Sequence, residues 1–190
     1  YLNKTMKTIL LETPLSLLHT PHTVHGANSI AATLTKLFIA EKNITMIMAG
    51  DFSQHDIRQL KPQKNVIYTP YETLHHTLTT QALIPDAALS FDASITRLTT
   101  FRNMNGYAFP VIGLIHTLGS YNTITSLRNV FPTLAHHDCL ICPSENTQQT
   151  AINCGLMPSQ APIGTYGCDT TKFKPIAKKK NRKKQLGLPT

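Results

Sequence analysis

The sequence predicts an α/β protein: a Rossmann-like three-layer domain with a mostly parallel sheet. Three observations carry this. Short apolar runs recur along the chain, segments with apolar residues at helical spacing separate them, and hydrophobic residues make up 41% of the 190 positions, enough for one packed core. Strands that alternate with helix-length segments must run parallel, with helices on both faces.

Thr8 to Leu11 is the first strand, short and apolar. A loop rich in Pro, Thr and His follows and ends in His25-Gly26-Ala27-Asn28-Ser29. Ile30, Leu34, Leu37 and Phe38 then recur at helical spacing, with Asn28 or Ser29 as the N-cap. Ile44 to Ala49 is the second strand, and Gly50-Asp51 turns the chain. Val66 to Thr69 is the third strand, and Tyr71, Leu74 and Leu78 mark the helix after it. Ala87 to Phe91 is the fourth strand; a helix runs from Ser94 to about Asn103 and breaks at Asn105-Gly106. Val111 to Ile115, straight after Pro110, is the clearest strand, and His116, Thr117 and Gly119 follow it directly. Tyr121 to Val130 forms a helix that ends before Pro132. Cys139 to Cys142 is the next strand, and Ser144 caps a helix that stops at Gly155. Ala161 to Gly164 is a last short strand.

Parallel sheets bind ligands at the carboxyl ends of their strands. The candidate site residues are therefore those just past strands: the loop around residues 25–29, His116 with Thr117, and Ser144.

The net charge of +8 suggests nucleic acid until its distribution is read. Residues 172–184 hold Lys172, Lys174, Lys178, Lys179, Lys180, Arg182, Lys183 and Lys184 and no acid. Without them the chain has ten basic and ten acidic residues. A nucleic-acid footprint covers a face or a helix, so no nucleic-acid partner is expected. The longest uncharged run, Asn103 to Leu127, is too polar for a membrane span. Glu12 and Pro14 interrupt the stretch from Lys7 to Leu18, which reads as strand and loop rather than a signal peptide. Four cysteines in a domain of this size do not suggest a disulfide framework, and a cytoplasmic location is the simpler assumption. Tyr1 stands where Met would, which points to a processed chain, a fragment or an incomplete reading frame.

The C-terminal third carries a resemblance. It reads His137-Asp138-Cys139-Leu140-Ile141-Cys142-Pro143-Ser144, a helix to Gly155, then Pro162-Ile163-Gly164-Thr165-Tyr166-Gly167-Cys168-Asp169, Phe173-Lys174-Pro175 and Arg182-Lys183-Lys184-Gln185-Leu186-Gly187-Leu188-Pro189. Upstream, Phe109 to Thr117 is an apolar strand that ends in histidine. This order resembles the family-4 retaining glycosyltransferases of the GT-B fold. One departure is Tyr166-Gly167-Cys168-Asp169, where that family has Asn-Gly-Val-Asp.

The resemblance implies the N-terminal half of a GT-B architecture. Residues 1–165 would be the acceptor-side Rossmann-like domain, and 166–190 the crossing and the start of a C-terminal donor-binding domain that is missing here. It implies a hexosyltransferase-type enzyme whose co-substrate is a nucleotide-sugar donor, with no other cofactor. Its acceptor would be a sugar, a lipid or another hydroxyl compound, with peripheral membrane contact left open. The 190-residue chain alone would be inactive.

His116 is the catalytic-cleft candidate: an imidazole at a strand's carboxyl end can hydrogen-bond a sugar. The resemblance would set it beside the donor sugar; without it, a histidine capping strand and helix is the plainer reading. His25, Gly26, Ala27 and Asn28 form the Gly-containing loop before a helix start, suited to phosphate or hydroxyl oxygens, though a plain turn and cap explains it nearly as well. Thr117 adjoins His116. Ser144 serves first as a cap and only secondarily in the cleft. Cys139 and Cys142 have the spacing of a zinc knuckle, but three residues apart on a strand they point to opposite faces, so core thiols are expected and no metal. Two other readings stay open: a non-catalytic Rossmann-like binding module or relic, and a basic-tail nucleic-acid binder.

Overall fold

The computed structural model describes residues 7–13 and 26–165, with 26–29 described by backbone alone. In order come β1 (Lys7–Glu12), α1 (Gly26–Ala40), β2 (Ile44–Gly50), α2 (Gln54–Gln59), β3 (Val66–Pro70), α3 (Leu74–Thr80), β4 (Ala87–Ser90), α4 (Thr96–Met104), β5 (Val111–Leu114), α5 (Tyr121–Val130), β6 (Cys139–Ile141) and α6 (Glu145–Asn153). The sheet order is β3-β2-β1-β4-β5-β6, and every pairing is parallel. Beyond β6, Cys142 bridges Ile163 in parallel, a remnant of the last predicted strand.

Strand alternation sorts side chains into two cores. Leu10, Ile47, Ala88, Val111 and Leu140 meet Leu74 and Leu78 of α3, Leu98 of α4, Leu127 of α5 and Ala151 of α6. On the other face, Leu11, Met46, Met48 and Leu89 meet Ala31, Leu34 and Phe38 of α1. The three-layer arrangement expected from the periodicity is therefore present. Gly113 of β5 makes close packing possible: a Cβ there would lie 2.6 Å from both Ile95 and Leu140.

The caps follow their chemistry. Ser120 and Ser144 accept from the N–H groups of Thr123 and Thr147, opening α5 and α6. Gly155 ends the last helix at φ +114°, backbone that side-chain-bearing residues avoid.

Two expectations are corrected, and one helix was not anticipated. Helix α1 starts at Gly26, so Asn28 and Ser29 lie inside its first turn and do not precede it as caps. Leu37 is 59% exposed: the apolar stripe of α1 is wider than the part the sheet covers. Helix α2 has no buried residue, and so no apolar stripe announced it. Its signal was the capping box of Ser53 and Asp56, whose carboxylate accepts from the Ser53 N–H at 2.8 Å.

Arg102 of α4 and Asp138 are both buried and ion-paired. Asp138 also accepts from the N–H groups of Val111 at 2.8 Å and Ala135 at 2.6 Å, while Arg102 donates to the Phe109 and Thr133 carbonyls. This pair ties α4 to the amino ends of β5 and β6.

Candidate functional site

In this strand order the chain turns back beside β1: β2 and β3 lie on one side of it and β4 to β6 on the other. The crevice at such a reversal, beyond the strands' carboxyl ends, is where open parallel sheets bind ligands. Here β1 ends in Glu12, paired in register with Ser90 at the end of β4.

A cleft of about 680 Å³ opens at this point, lined by Glu12, Tyr71, Ser94, Thr96, Arg97, Thr100, Phe101, Met104 and Asn105. Glu12 is half-buried, and burial pushes its carboxyl above the usual carboxylate range; the Ser90 hydrogen bond and nearby Arg97 oppose that shift. Arg97 is committed: its guanidinium lies 2.6 Å from an Asp51 carboxylate oxygen and 3.8 Å from the centroid of the Tyr71 ring. The hydrogen bond from Arg97 holds the Asp51 carboxyl below its ordinary value. Burial raises the Tyr71 hydroxyl, with the Glu12 charge adding to it. That hydroxyl is buried and has no hydrogen-bond partner.

A second cleft, about 390 Å³, adjoins the first through Ser94. Asp92, Ala93, His116, Thr117, Asn122, Thr123 and Ser126 complete its lining. His116 leaves β5 and places Nε2 2.7 Å from the Phe91 carbonyl oxygen. A carbonyl only accepts, so Nε2 carries a proton and donates it to this bond. The bond fixes the ring at the end of β4. Thr117 accepts from the Gly119 N–H at 3.1 Å, which shapes the turn into α5.

His116 and Thr117 thus share one cleft. Gly26, Ala27 and Asn28 form the start of α1, and His25 lies outside the described residues. Ser144 sits past β6, where its hydroxyl caps α6 and meets the Thr147 hydroxyl at 3.0 Å. The segment 166–190, with its lysine run, also lies outside the described residues.

Glu12, Asp51, Tyr71 and Arg97 were missed from the sequence. The signal for three of them was present: each stands at or just past the carboxyl end of a strand, by the same rule that singled out His116. Arg97, in the first turn of α4, needs the fold to be recognised.

Cys139 and Cys142 lie on opposite faces of the sheet edge; Cys142 is in the core with Leu140, and burial pushes its thiol up to about 11. Among the described residues, no cluster of three or more His, Cys, Asp or Glu could hold a metal ion, and no helix is long and apolar enough to cross a membrane.

No family model matches the chain, and no curated protein matches it in sequence. Solved structures do match in fold. The chain is similar to Anabaena HepE in complex with UDP, with 13% identity and a TM-score of 0.59 over 96% of this chain and 50% of that one. The complexes of the same protein with UDP and glucose, and with UDP-glucose, give 13% identity and a TM-score of 0.60 over 95% of this chain and 50% of theirs. At this identity the likeness is one of fold. The chain spans about half the length of the solved structures it matches.

Proposed function

We propose that this chain is the acceptor-side half of a glycosyltransferase that moves a sugar from a nucleotide-sugar donor to an acceptor hydroxyl with retention. The observation that carries the acceptor side is electrostatic. Among the described residues lining the two clefts, Arg97 is the one permanent cation, and Asp51 already holds it at 2.6 Å. Glu12 and Asp92 line the same clefts. A leaving diphosphate needs fixed positive groups aimed at its developing charge, and this surface offers it carboxylates. On this reading a partner domain supplies those groups.

The donor class rests on the fold likeness to a protein whose complexes hold UDP and UDP-glucose. Retention, the hexosyl type and the domain boundary at residue 165 rest on the motif order from His137 to Pro189. In the assembled enzyme the glycosidic bond to the diphosphate breaks as the acceptor oxygen attacks from the same face. On this reading His116, held by the Phe91 carbonyl, touches the donor sugar, and Thr117, Ser144 and the sequence His25-Gly26-Ala27-Asn28 contribute to substrate binding, as the motif resemblance implies. The chain alone does not turn over.

The test is an assay of UDP release from UDP-glucose by the full product of the reading frame and by the 190-residue chain, each with a panel of hydroxyl acceptors. Acceptor-dependent release by the full product only, with the anomeric configuration kept by NMR, is the expected result. Turnover by the 190-residue chain alone refutes the half-enzyme reading. Inversion refutes retention, and absence of release with every nucleotide sugar tried refutes the enzyme.

A further inference from the structure

We infer that the Glu12 cleft recognises an uncharged hydroxyl group of the acceptor, such as a sugar-ring alcohol carrying an apolar substituent, and excludes phosphorylated acceptors. The inference deepens the proposed function and rests on it for naming the ligand an acceptor.

Two polar groups at the switch point are complementary to one kind of ligand atom. Glu12, ionised, can only accept hydrogen bonds. Tyr71 lines the same cleft, and its hydroxyl is buried with no hydrogen-bond partner, a state that costs free energy until a ligand completes it. An alcohol donates to the carboxylate and accepts from the phenol, through one oxygen or two neighbouring ones. An ammonium group only donates, and a phosphate dianion only accepts. Charge discriminates further. Arg97 is bound to Asp51 and lies over the Tyr71 ring, so it is not available to an anion without breaking that pair. The Glu12 carboxylate meanwhile repels one. The rest of the wall sets two apolar side chains among Ser94, Thr96, Thr100 and Asn105: Phe101 stands edge-on to Tyr71, and Met104 is 82% exposed at the rim. A volume of about 680 Å³ suits a ligand of glycoside size.

The experiment is an NMR titration of the full chain with n-octyl glucoside below its micelle concentration and, separately, with octyl phosphate. The glucoside is expected to saturate and to shift the signals of Glu12, Tyr71 and Met104, while octyl phosphate binds at least tenfold more weakly. Glu12→Gln keeps the shape and removes the charge; it should weaken the glucoside about tenfold, and Tyr71→Phe about fivefold. Thermal melts confirm that both variants fold. Octyl phosphate binding as tightly as the glucoside, or Glu12→Gln binding the glucoside like the unaltered chain, overturns the inference. The two readings fail separately. If the full product transfers sugar but Glu12→Gln leaves the acceptor KM unchanged, this inference falls and the proposed function stands. If the glucoside binds as expected but no sugar is ever transferred, the proposed function falls, and with it the naming of this ligand as acceptor.

Discussion

Replacing Asp138 by alanine should nearly unfold the domain. The side chain is fully buried and answers three donors: the Arg102 guanidinium and the backbone N–H groups of Val111 and Ala135. Removing one partner of a buried ion pair costs about 3–5 kcal/mol, because the other charge stays buried and uncompensated. Each orphaned buried N–H adds about 1–3 kcal/mol. These terms share one cavity and do not add fully, so a loss of about 4–6 kcal/mol is expected. Domains hold about 5–15 kcal/mol in total, so little would remain. Arg102→Met should cost less, about 3 kcal/mol, because Asp138 keeps both backbone donors. Urea unfolding of the 190-residue chain, followed by circular dichroism, measures both. The reasoning is refuted if Asp138→Ala costs less than about 1.5 kcal/mol, or if Arg102→Met costs more than Asp138→Ala. The consequence reaches the site: the pair anchors the amino end of β5, and the carboxyl end of the same strand carries His116.

Other outcomes follow from single features. Ser144→Ala removes the acceptor for the Thr147 N–H and should lower stability by about 1 kcal/mol, read from the shift in the urea midpoint. Gly155→Ala forces a side chain into φ +114° and sets its Cβ 3.3 Å from the Phe131 ring; a loss of at least about 1 kcal/mol is expected by the same measurement. For Glu12 the folded carboxyl titrates above its unfolded value of 4.5. Its contribution is therefore fully present below that value and lost as pH rises through the folded pKa. Melting temperatures from pH 4 to 8 should show Glu12→Gln gaining on the unaltered chain as pH rises, and a constant gap would contradict this. Asp86 has the opposite sign. The Thr8 N–H at 2.7 Å and Lys7 hold its carboxyl low, so its contribution fades as pH falls, and Asp86→Asn should lose its disadvantage at acidic pH.

Local patterns made much of the architecture legible. The helix from Tyr121 to Val130 was readable to both ends because a buried stripe at Leu127 and Val130 and a following Pro132 bound it. Ser144 and Gly155 marked their helix for similar reasons. Helix α2 was not legible, because a six-residue helix with no buried face leaves no periodicity. The start of α1 was misread because Asn28 and Ser29 are good cap residues, and residue type alone does not say which candidate the chain uses.

The sequence by itself determined the order of the strands and of every helix but α2, the parallel sheet and the two-sided core, since these depend on periods of two and 3.6 residues over short windows. It also singled out His116 and Thr117, because position after a strand is a local property. Only the tertiary structure decided which strand ends share a crevice. The order β3-β2-β1-β4-β5-β6 sets the reversal beside β1 and brings Glu12, Tyr71 and Arg97 to one cleft from three separate segments. The partnerships of Arg97 with Asp51, Arg102 with Asp138 and His116 with the Phe91 carbonyl span 25 residues or more. No local pattern encodes such pairs; they follow from which strands lie side by side and how closely the helices pack between them.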